Sequence, residues 1–272
     1  METVKTLYAI PNYECNLSCD FCNLKDKKAE YNRDRFMDAL NSFHGTKILF
    51  GGEPLLYKER FKDIVRNCDI DSITTNLILL DKEELELLNK ISIATSWTPE
   101  RFRKESDYNR WLLKLEMVKE KEVVVLITLS KETIRLNPYN DMIPLFREWK
   151  TRGNIHGILF EHLLDYDIEA NYHEVCDKWL SDIYLALRKN DLDIENIIIN
   201  QLKDGWHFNC SQTYTLHPDG KITRGCPQFA EYKIMTKCFS CERYNTCRPC
   251  MLQDKCTYPA KLEKTIKINE KI

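Results

Sequence analysis

The sequence predicts an α/β protein built on a parallel sheet, with a small cysteine-rich unit at its C-terminal end. Six apolar segments of strand length alternate with helical patterns between residues 7 and 189, and such alternation is typical of parallel β/α folds. Val123–Leu129 is a continuous apolar run rich in β-branched residues, as expected for a strand covered on both faces. From residue 207 the helical periodicity stops and cysteines accumulate. We therefore expect two units, at residues 1–200 and 201–272.

The elements of the first unit are predicted in a regular order. The strands are expected at Leu7–Ile10, Lys47–Phe50, Ile70–Thr75, Ile91–Ser96, Val123–Leu129 and Gly157–Leu164. Apolar residues at helical spacing follow each of them. The helices are expected at Asp34–Phe43, around Phe61 and Ile64, after Asp81, around Trp111 and Leu115, at Met142–Trp149 and at Tyr172–Lys189. Periodicity alone does not separate an open, doubly wound sheet from a barrel.

Composition excludes several classes of protein. With 272 residues and a net charge of −2, the chain can bury a substantial core and is not built to coat nucleic acid. The sequence has neither an N-terminal signal segment nor an apolar run of about 18 residues. The predicted compartment is the cytoplasm, with no membrane partner. Twelve cysteines in that reducing compartment indicate metal ligands rather than disulfides.

Three cysteines after the first predicted strand form the most informative motif of the chain. Cys15, Cys19 and Cys22 lie within eight residues, and Phe21 precedes the last of them. A structural zinc site has four protein ligands, so three thiols leave one position free. Iron–sulfur clusters are also held by cysteine thiolates, and the cysteine spacing helps to identify them. From these residues alone, a partial zinc site, three buried thiols and an iron–sulfur cluster are all open.

A second motif follows the second predicted strand. Gly51, Gly52, Glu53 and Pro54 come directly after an apolar run. Glycines allow a backbone to approach a ligand closely, and a proline can open the next helix. Taken alone, this segment would be an ordinary strand-to-helix turn.

These two motifs, in this order, resemble those of radical S-adenosylmethionine (SAM) enzymes. The resemblance implies that the three cysteines hold a [4Fe–4S] cluster whose fourth iron binds the amino and carboxylate groups of SAM, with Phe21 as the family's aromatic residue. It also implies that Glu53 and the backbone beside it hold the SAM ammonium group. The implied fold is a partial (β/α)6 barrel with its site at the C-terminal ends of the strands, which agrees with the general rule for β/α barrels.

Weaker motif similarities to the family extend the implied SAM site to three further strands. Relatives with auxiliary clusters often end the third strand in Thr-Asn-Gly, which implies a role for Asn76, although this chain has Leu77 in place of the glycine. The fourth strand often ends in Ser-Leu-Asp-Gly, which contacts the SAM ribose and carboxylate, and here Ser96 is the candidate substitute. Thr128 on the fifth strand is expected to neighbour SAM. Plain sheet packing would explain the same residues.

The cysteine-rich end contains a predicted hairpin and seven cysteines. Thr213–Leu216 and Lys221–Thr223 flank a Pro-Asp-Gly sequence, which is a strong turn signal. The cysteines are Cys210, Cys226, Cys238, Cys241, Cys247, Cys250 and Cys256. With so little apolar content around them, metal is expected to replace a hydrophobic core. The four cysteines in two CxxC turns would suit a zinc ribbon, but the other three would then have no role.

The same region resembles the SPASM module of radical SAM maturases, which carries two auxiliary iron–sulfur clusters. The resemblance implies an outer cluster on four ligands, Cys238, Cys241, Cys247 and Cys256. It implies an inner cluster on three, Cys210, Cys226 and Cys250, with a fourth position that is either open or filled by another side chain such as His207. Cys226 comes one residue late and Cys250 one residue early relative to the family pattern. The two remaining cysteines, Cys68 and Cys176, fall in helical patterns and are predicted to be core thiols.

The resemblance implies a radical SAM oxidoreductase in which a 5′-deoxyadenosyl radical removes hydrogen from the substrate. The auxiliary clusters would accept the electron that leaves the substrate, and flavodoxin or ferredoxin would reduce the SAM-binding cluster. Oxidation or cross-linking of a peptide or protein is the leading expectation, because most SPASM proteins resemble maturases. Dehydrogenation of a small-molecule alcohol or amine is the alternative, and the few residues before the first strand favour it. A metal-binding scaffold without catalysis is a third hypothesis, but it would have no need of a SAM ammonium site.

A base is needed to take a proton from the oxidised substrate. Four polar residues near the end of the sixth predicted strand are candidates: Glu161, His162, Asp165 and Asp167. Solvation of an exposed loop would explain them equally well.

Overall fold

The computed structural model describes residues 5–22, 24, 26–162, 172–192 and 213–224. The strands in these ranges are β1 (Thr6–Ala9), β2 (Thr46–Leu49), β3 (Ser72–Thr75), β4 (Ser92–Trp97), β5 (Val123–Leu129), β6 (Ile155–His162), β7 (Thr213–Leu216) and β8 (Ile222–Arg224). The helices are α1 (Arg33–Ser42), α2 (Lys58–Asn67), α3 (Lys82–Leu87), α4 (Glu105–Met117), α5 (Ile143–Arg152) and α6 (Tyr172–Lys189). Among the described helices, none is long and apolar enough to cross a membrane.

The first six strands lie side by side in chain order, and all are parallel. A doubly wound sheet reverses its strand order at a switch point, and this sheet has no such reversal from β1 to β6. Right-handed crossovers that always advance in one direction place every helix on the same face. The α/β prediction is therefore confirmed, and the winding is that of a β/α barrel rather than of an open, doubly wound sheet.

The two faces of the sheet differ in burial. One register row across the strands is almost completely buried: Ala9, Leu49, Ile73, Ile93 and Val123. This row faces the helices, since Trp111 of α4 donates a hydrogen bond from Nε1 to Thr95 Oγ1 at 3.0 Å on the same side of β4. Trp111 also packs against Trp149 of α5. The alternate residues of each strand consequently face the inside of the barrel.

The predicted elements match the observed ones to within about two residues, with one informative difference at α3. Asp81 caps α3, accepting hydrogen bonds from the backbone amides of Glu83 and Glu84. The Glu84 side chain does not complete a capping box, because it is fully buried and accepts from Lys58 Nζ at 2.8 Å. The helix ends at Leu87, and Leu88 is its C-terminal cap.

Three other sequence predictions can be compared with the structure. Cys68 and Cys176 are both buried, which confirms them as core thiols. Met142–Trp149 was predicted to be helical, which is confirmed: Met142 ends a π-helical turn over Pro138–Met142, and α5 begins at the next residue. The predicted sixth strand reaches residue 164, and its last two residues lie outside the described ranges.

The predicted hairpin forms and belongs to the barrel sheet. β7 pairs with β1 in parallel, and β8 pairs with β7 in antiparallel orientation. At the turn, Gly220 has a φ of +85°, and an added Cβ there would lie 2.4 Å from the Arg35 Cβ of α1. His217 Nδ1 is 2.5 Å from the hydroxyl of Tyr13, two residues before the first cysteine of the motif. The hairpin thus docks beside the strand that leads into the cysteine loop. All seven cysteines of the C-terminal region lie outside the described residues.

Candidate active site at the C-terminal edge of the sheet

The cysteine loop directly follows β1 at the C-terminal edge of the sheet. Cys15, Cys19 and Cys22 are free thiols, of which Cys19 is buried and the others half-buried. A turn links two of them, since the amide of Cys22 donates to the Cys19 carbonyl at 3.1 Å. Within the described ranges, no three His, Cys, Asp or Glu side chains converge on a position for one metal ion. Each thiolate of a [4Fe–4S] cluster binds a different iron, and these three thiols are the side chains of the loop that could hold such a group.

Two glycines bring the loop after β2 into contact with the segment that leads to the cysteines. An added Cβ would lie 2.8 Å from the Asn12 carbonyl oxygen at Gly51 and 2.0 Å from the Glu14 carbonyl oxygen at Gly52. Gly51 also has a φ of +136°, which side chains disfavour. The amide of Glu53 donates to the Glu14 carbonyl at 2.7 Å. The sequence predicted that the backbone approaches a ligand closely at these glycines. In the structure the glycines approach the backbone of the segment before the cysteines.

We expect Gly52→Ala to destabilise the protein by about 1–3 kcal/mol, because backbone atoms in two loops would have to move apart. Chemical denaturation would measure this loss of unfolding free energy. Gly153→Ala is the matched control, because its added Cβ would meet the Leu115 carbonyl oxygen only at 3.2 Å. Equal losses in the two variants would contradict the tight contact between the loops.

Pro54 is buried but does not begin a helix. The helix after this loop, α2, starts at Lys58, and Pro54 lies in a turn closed by a hydrogen bond from the Leu56 amide to the Glu53 carbonyl at 3.0 Å. The proline follows the glutamate directly and shares its buried environment.

Glu53 ties the loop after β2 to the end of β3. Its carboxylate is 1% exposed. It accepts three hydrogen bonds, from Thr75 Oγ1 at 2.7 Å, Asn76 N at 2.8 Å and Leu55 N at 3.1 Å. Burial raises the pKa of Glu53, and these hydrogen bonds together with the positive charge of Arg101 oppose that rise. A carboxylate has about four acceptor positions, so the geometry leaves room for one further donor.

Asn76 reaches the cysteine loop from the end of β3. The residue is 4% exposed, and its Nδ2 lies 2.8 Å from Asn16 Oδ1 and 3.7 Å from Cys15 Sγ. The following residue, Leu77, has a φ of +62°. The chain thus adopts the left-handed conformation that a glycine would take more easily, at a cost of about 1–2 kcal/mol. Complete burial of the leucine side chain offsets that cost.

Three of the predicted polar residues lie on the inward face of the sheet. Thr128 is directly opposite Glu161, and Ser96 is opposite Leu126, two positions before Thr128 on the same strand. Partners across parallel strands share a face, as do residues two apart. Desolvation raises the pKa of the Glu161 carboxyl, and the charge of Arg101 opposes this. His162 ends β6, and its side chain, like Asp165 and Asp167, is outside the described part of the structure.

Arg101 is a candidate that sequence reasoning missed. It lies in a short helical turn, Pro99–Phe102, just after β4, and its guanidinium carbon is 5.9 Å from the centroid of the Phe21 ring. Burial raises the pKa of Cys15 to about 11 and also raises the pKa of Cys19, and the positive charge of Arg101 opposes both shifts. Its Nε is buried and has no hydrogen-bond partner in the described part of the chain. The available signal was a charged residue just after a barrel strand, but the sequence does not show which way its side chain points, because that depends on tertiary structure.

Comparison with known proteins gives a likeness in fold. No family model matches the chain, and no curated protein matches it. The structure of native anSMEcpe with bound AdoMet aligns with a TM-score of 0.66 and 18% identity over 96% of this chain and 95% of that chain. Streptococcus suis SuiB bound to S-adenosylmethionine aligns with a TM-score of 0.64 and 14% identity over 90% of this chain and 72% of that chain. A further SuiB crystal structure aligns at 0.58 and 15% identity, over 94% and 76%. The chain therefore has the fold of two proteins that bind SAM.

Proposed function

We propose that this protein is a radical SAM oxidoreductase that binds a [4Fe–4S] cluster and SAM at the C-terminal edge of its sheet. The observation that carries the proposal is the loop of three free thiols, which directly follows a segment packed against the glycine-rich loop after β2. A fold shared with structures of SAM-bound proteins supports it. When bound, the reduced cluster supplies the electron that cleaves SAM to methionine and a 5′-deoxyadenosyl radical.

Residues at this edge of the sheet would contact the different groups of SAM. The free acceptor position of Glu53 suits the SAM ammonium group, and the Nε of Arg101, which has no hydrogen-bond partner in the described part of the chain, suits its carboxylate, since opposite charges and directed hydrogen bonds reinforce each other. The hydroxyls of Ser96 and Thr128 face inward and suit the ribose. Glu53, Ser96 and Thr128 are buried, which keeps water from competing for them, and Arg101 is half-buried.

Glu161 is the candidate base whose side chain the structure describes. It lies on the inward face at the end of β6, and desolvation raises its pKa. A carboxylate with a raised pKa accepts a proton more readily near neutral pH. The positive charge of Arg101 opposes this rise of the Glu161 pKa.

We further propose that the substrate is a peptide or protein, which is oxidised or cross-linked. The SPASM-like cysteine pattern of residues 210–256 supports this substrate class. Two auxiliary clusters on those cysteines would accept the substrate's electron, and flavodoxin or ferredoxin would reduce the cluster in the barrel. The proposed location is the cytoplasm.

The proposal is tested with anaerobically reconstituted protein and a strong reductant. The protein should convert SAM to 5′-deoxyadenosine, measured by chromatography. Iron-loaded protein that leaves SAM intact under these conditions would overturn the proposed chemistry.

Metal analysis tests the auxiliary clusters separately. Three [4Fe–4S] clusters correspond to about twelve iron atoms, so a variant with Cys15, Cys19 and Cys22 all changed to Ala should retain about eight. A zinc ribbon at the two CxxC turns would instead leave that variant with one zinc and no iron. Finding zinc would remove the electron-acceptor role of the C-terminal region and leave the SAM chemistry of the barrel in place.

A further inference from the structure

We propose that Asn76 is a positioning residue for the cluster, and that its side-chain amide donates a hydrogen bond to Cys15 and raises the cluster's reduction potential. The inference rests on the proposed function, because it assumes a cluster on the cysteine loop. Its direct observation is the distance of 3.7 Å from Asn76 Nδ2 to Cys15 Sγ. The backbone amide of Leu17 donates to the same sulfur at 3.4 Å, so Cys15 accepts from two N–H groups.

The orientation of the Asn76 amide is determined by its other contacts. Its Oδ1 accepts a hydrogen bond from the backbone amide of Ile78 at 3.1 Å, and a backbone N–H can only donate. Its Nδ2 donates to Asn16 Oδ1 at 2.8 Å. Reversing the amide would turn the Ile78 contact into a clash between two donors. The N–H group therefore points toward the sulfur.

A buried network holds this amide in place. Glu53 Oε2 accepts from the Asn76 backbone amide at 2.8 Å, and Thr75 Oγ1 accepts from the Leu77 amide at 3.0 Å. The left-handed conformation of Leu77, at a φ of +62°, turns the chain at this point. Strained backbone of this kind persists where the surroundings impose it, and it is concentrated at functional sites. The left-handed turn at a leucine, where a glycine would fit more easily, is explained if the amide must reach Cys15.

The electrostatic consequence has a definite sign. Reduction adds one negative charge to a cluster, part of which resides on its sulfur ligands. A hydrogen-bond donor aimed at a ligand sulfur stabilises that charge, and such bonds are among the factors that set iron–sulfur potentials. At 4% exposure of Asn76, little water is available to replace the donor. Removing it should make the cluster harder to reduce.

The test compares Asn76→Ala and Asn76→Asp with the wild-type chain after anaerobic reconstitution. The midpoint potential of the SAM-responsive cluster signal is measured by an EPR-monitored redox titration. Asn76→Ala should lower the reduction equilibrium constant about tenfold, a shift of about 59 mV toward negative potential for a one-electron couple. Asn76→Asp keeps the side-chain size and the acceptor for Ile78 but adds negative charge, so its shift should be larger. Asn67→Ala, an amide on the outer surface of α2, is the control and should show no shift.

Iron-loaded Asn76 variants with the wild-type potential would overturn the proposal and leave the proposed function standing. Loss of the cluster from both folded variants would assign Asn76 a role in loop structure alone and would also overturn it. Wild-type protein that binds no iron–sulfur cluster would overturn the proposed function itself, and this inference with it.

Discussion

Cys22→Ala should abolish the conversion of SAM to 5′-deoxyadenosine while the chain stays folded. The thiol is half-buried in a loop outside the main core, so its loss should change the free energy of unfolding by less than about 1 kcal/mol. The cluster would lose one of three protein ligands, and cleavage of SAM depends on electron transfer from that cluster. Circular dichroism and chromatographic measurement of 5′-deoxyadenosine would check the two parts of the prediction.

Cys68→Ala is the matched control for this experiment. Cys68 is also a free thiol, but it is buried at the end of α2, with its Sγ 3.8 Å from Met37 Sδ. Its replacement should reduce stability and leave the SAM cleavage activity per folded molecule near the wild-type value. Full turnover by the Cys22 variant would refute the assignment of the cluster to this loop.

Glu53→Gln should weaken SAM binding about ten- to hundredfold, which corresponds to loss of a charged hydrogen bond worth about 1.5–3 kcal/mol. The variant should also lose stability. A glutamine has one acceptor oxygen, whereas the amides of Leu55 and Asn76 donate to different carboxylate oxygens. One of the two backbone N–H groups would therefore face the side-chain amide NH2 and lose its acceptor. SAM affinity is measured by isothermal titration and stability by denaturation.

Glu84→Gln separates the two effects. Glu84 is also fully buried, but it lies on α3 and pairs with Lys58 of α2 at 2.8 Å, whereas Glu53 accepts from the end of β3. The Glu84→Gln substitution should reduce stability without changing SAM affinity. If Glu53→Gln behaves in the same way, the carboxylate organises the loops and does not contact SAM.

The pH dependence of stability provides an independent check on Glu53. Because burial raises its pKa above the ordinary value of 4.5, the folded state binds the proton more tightly than the unfolded chain. The contribution of Glu53 to stability is then fully present below pH 4.5 and declines as pH rises through the folded pKa. Glutamine does not titrate, so the stability difference between wild type and Glu53→Gln should shrink over that range.

The order of strands and helices could be predicted because burial leaves a local periodic pattern. Val123–Leu129 and Tyr172–Lys189 were located to the residue, since both are long and strongly apolar on the faces that become buried. α3 was less accurate, because its buried position is occupied by Glu84, a charged residue that pairs with Lys58. A charged side chain that is buried together with a partner far away in sequence leaves no local pattern.

Contacts between loops were beyond sequence reasoning for a similar reason. The motifs identified Cys15 and Asn76 separately, but their proximity depends on the register between neighbouring strands and on the turn at Leu77. Arg101 was missed because its neighbours, Phe21 and the cysteines, come from a loop about eighty residues earlier in the chain, a separation at which local patterns carry no information. The relative placement of these groups required the folded structure.

The docking of the β7–β8 hairpin has a consequence for dissecting this protein. β1 lies between β2 and β7, so the strand that leads into the cysteine loop is hydrogen-bonded on both sides. A chain cut near residue 200 would turn β1 into an open edge with unpaired N–H and C=O groups. Such edges recruit strands from other molecules and promote aggregation. A truncated chain in which β1 keeps its pairing on both sides therefore has to include the β7–β8 hairpin, through Arg224.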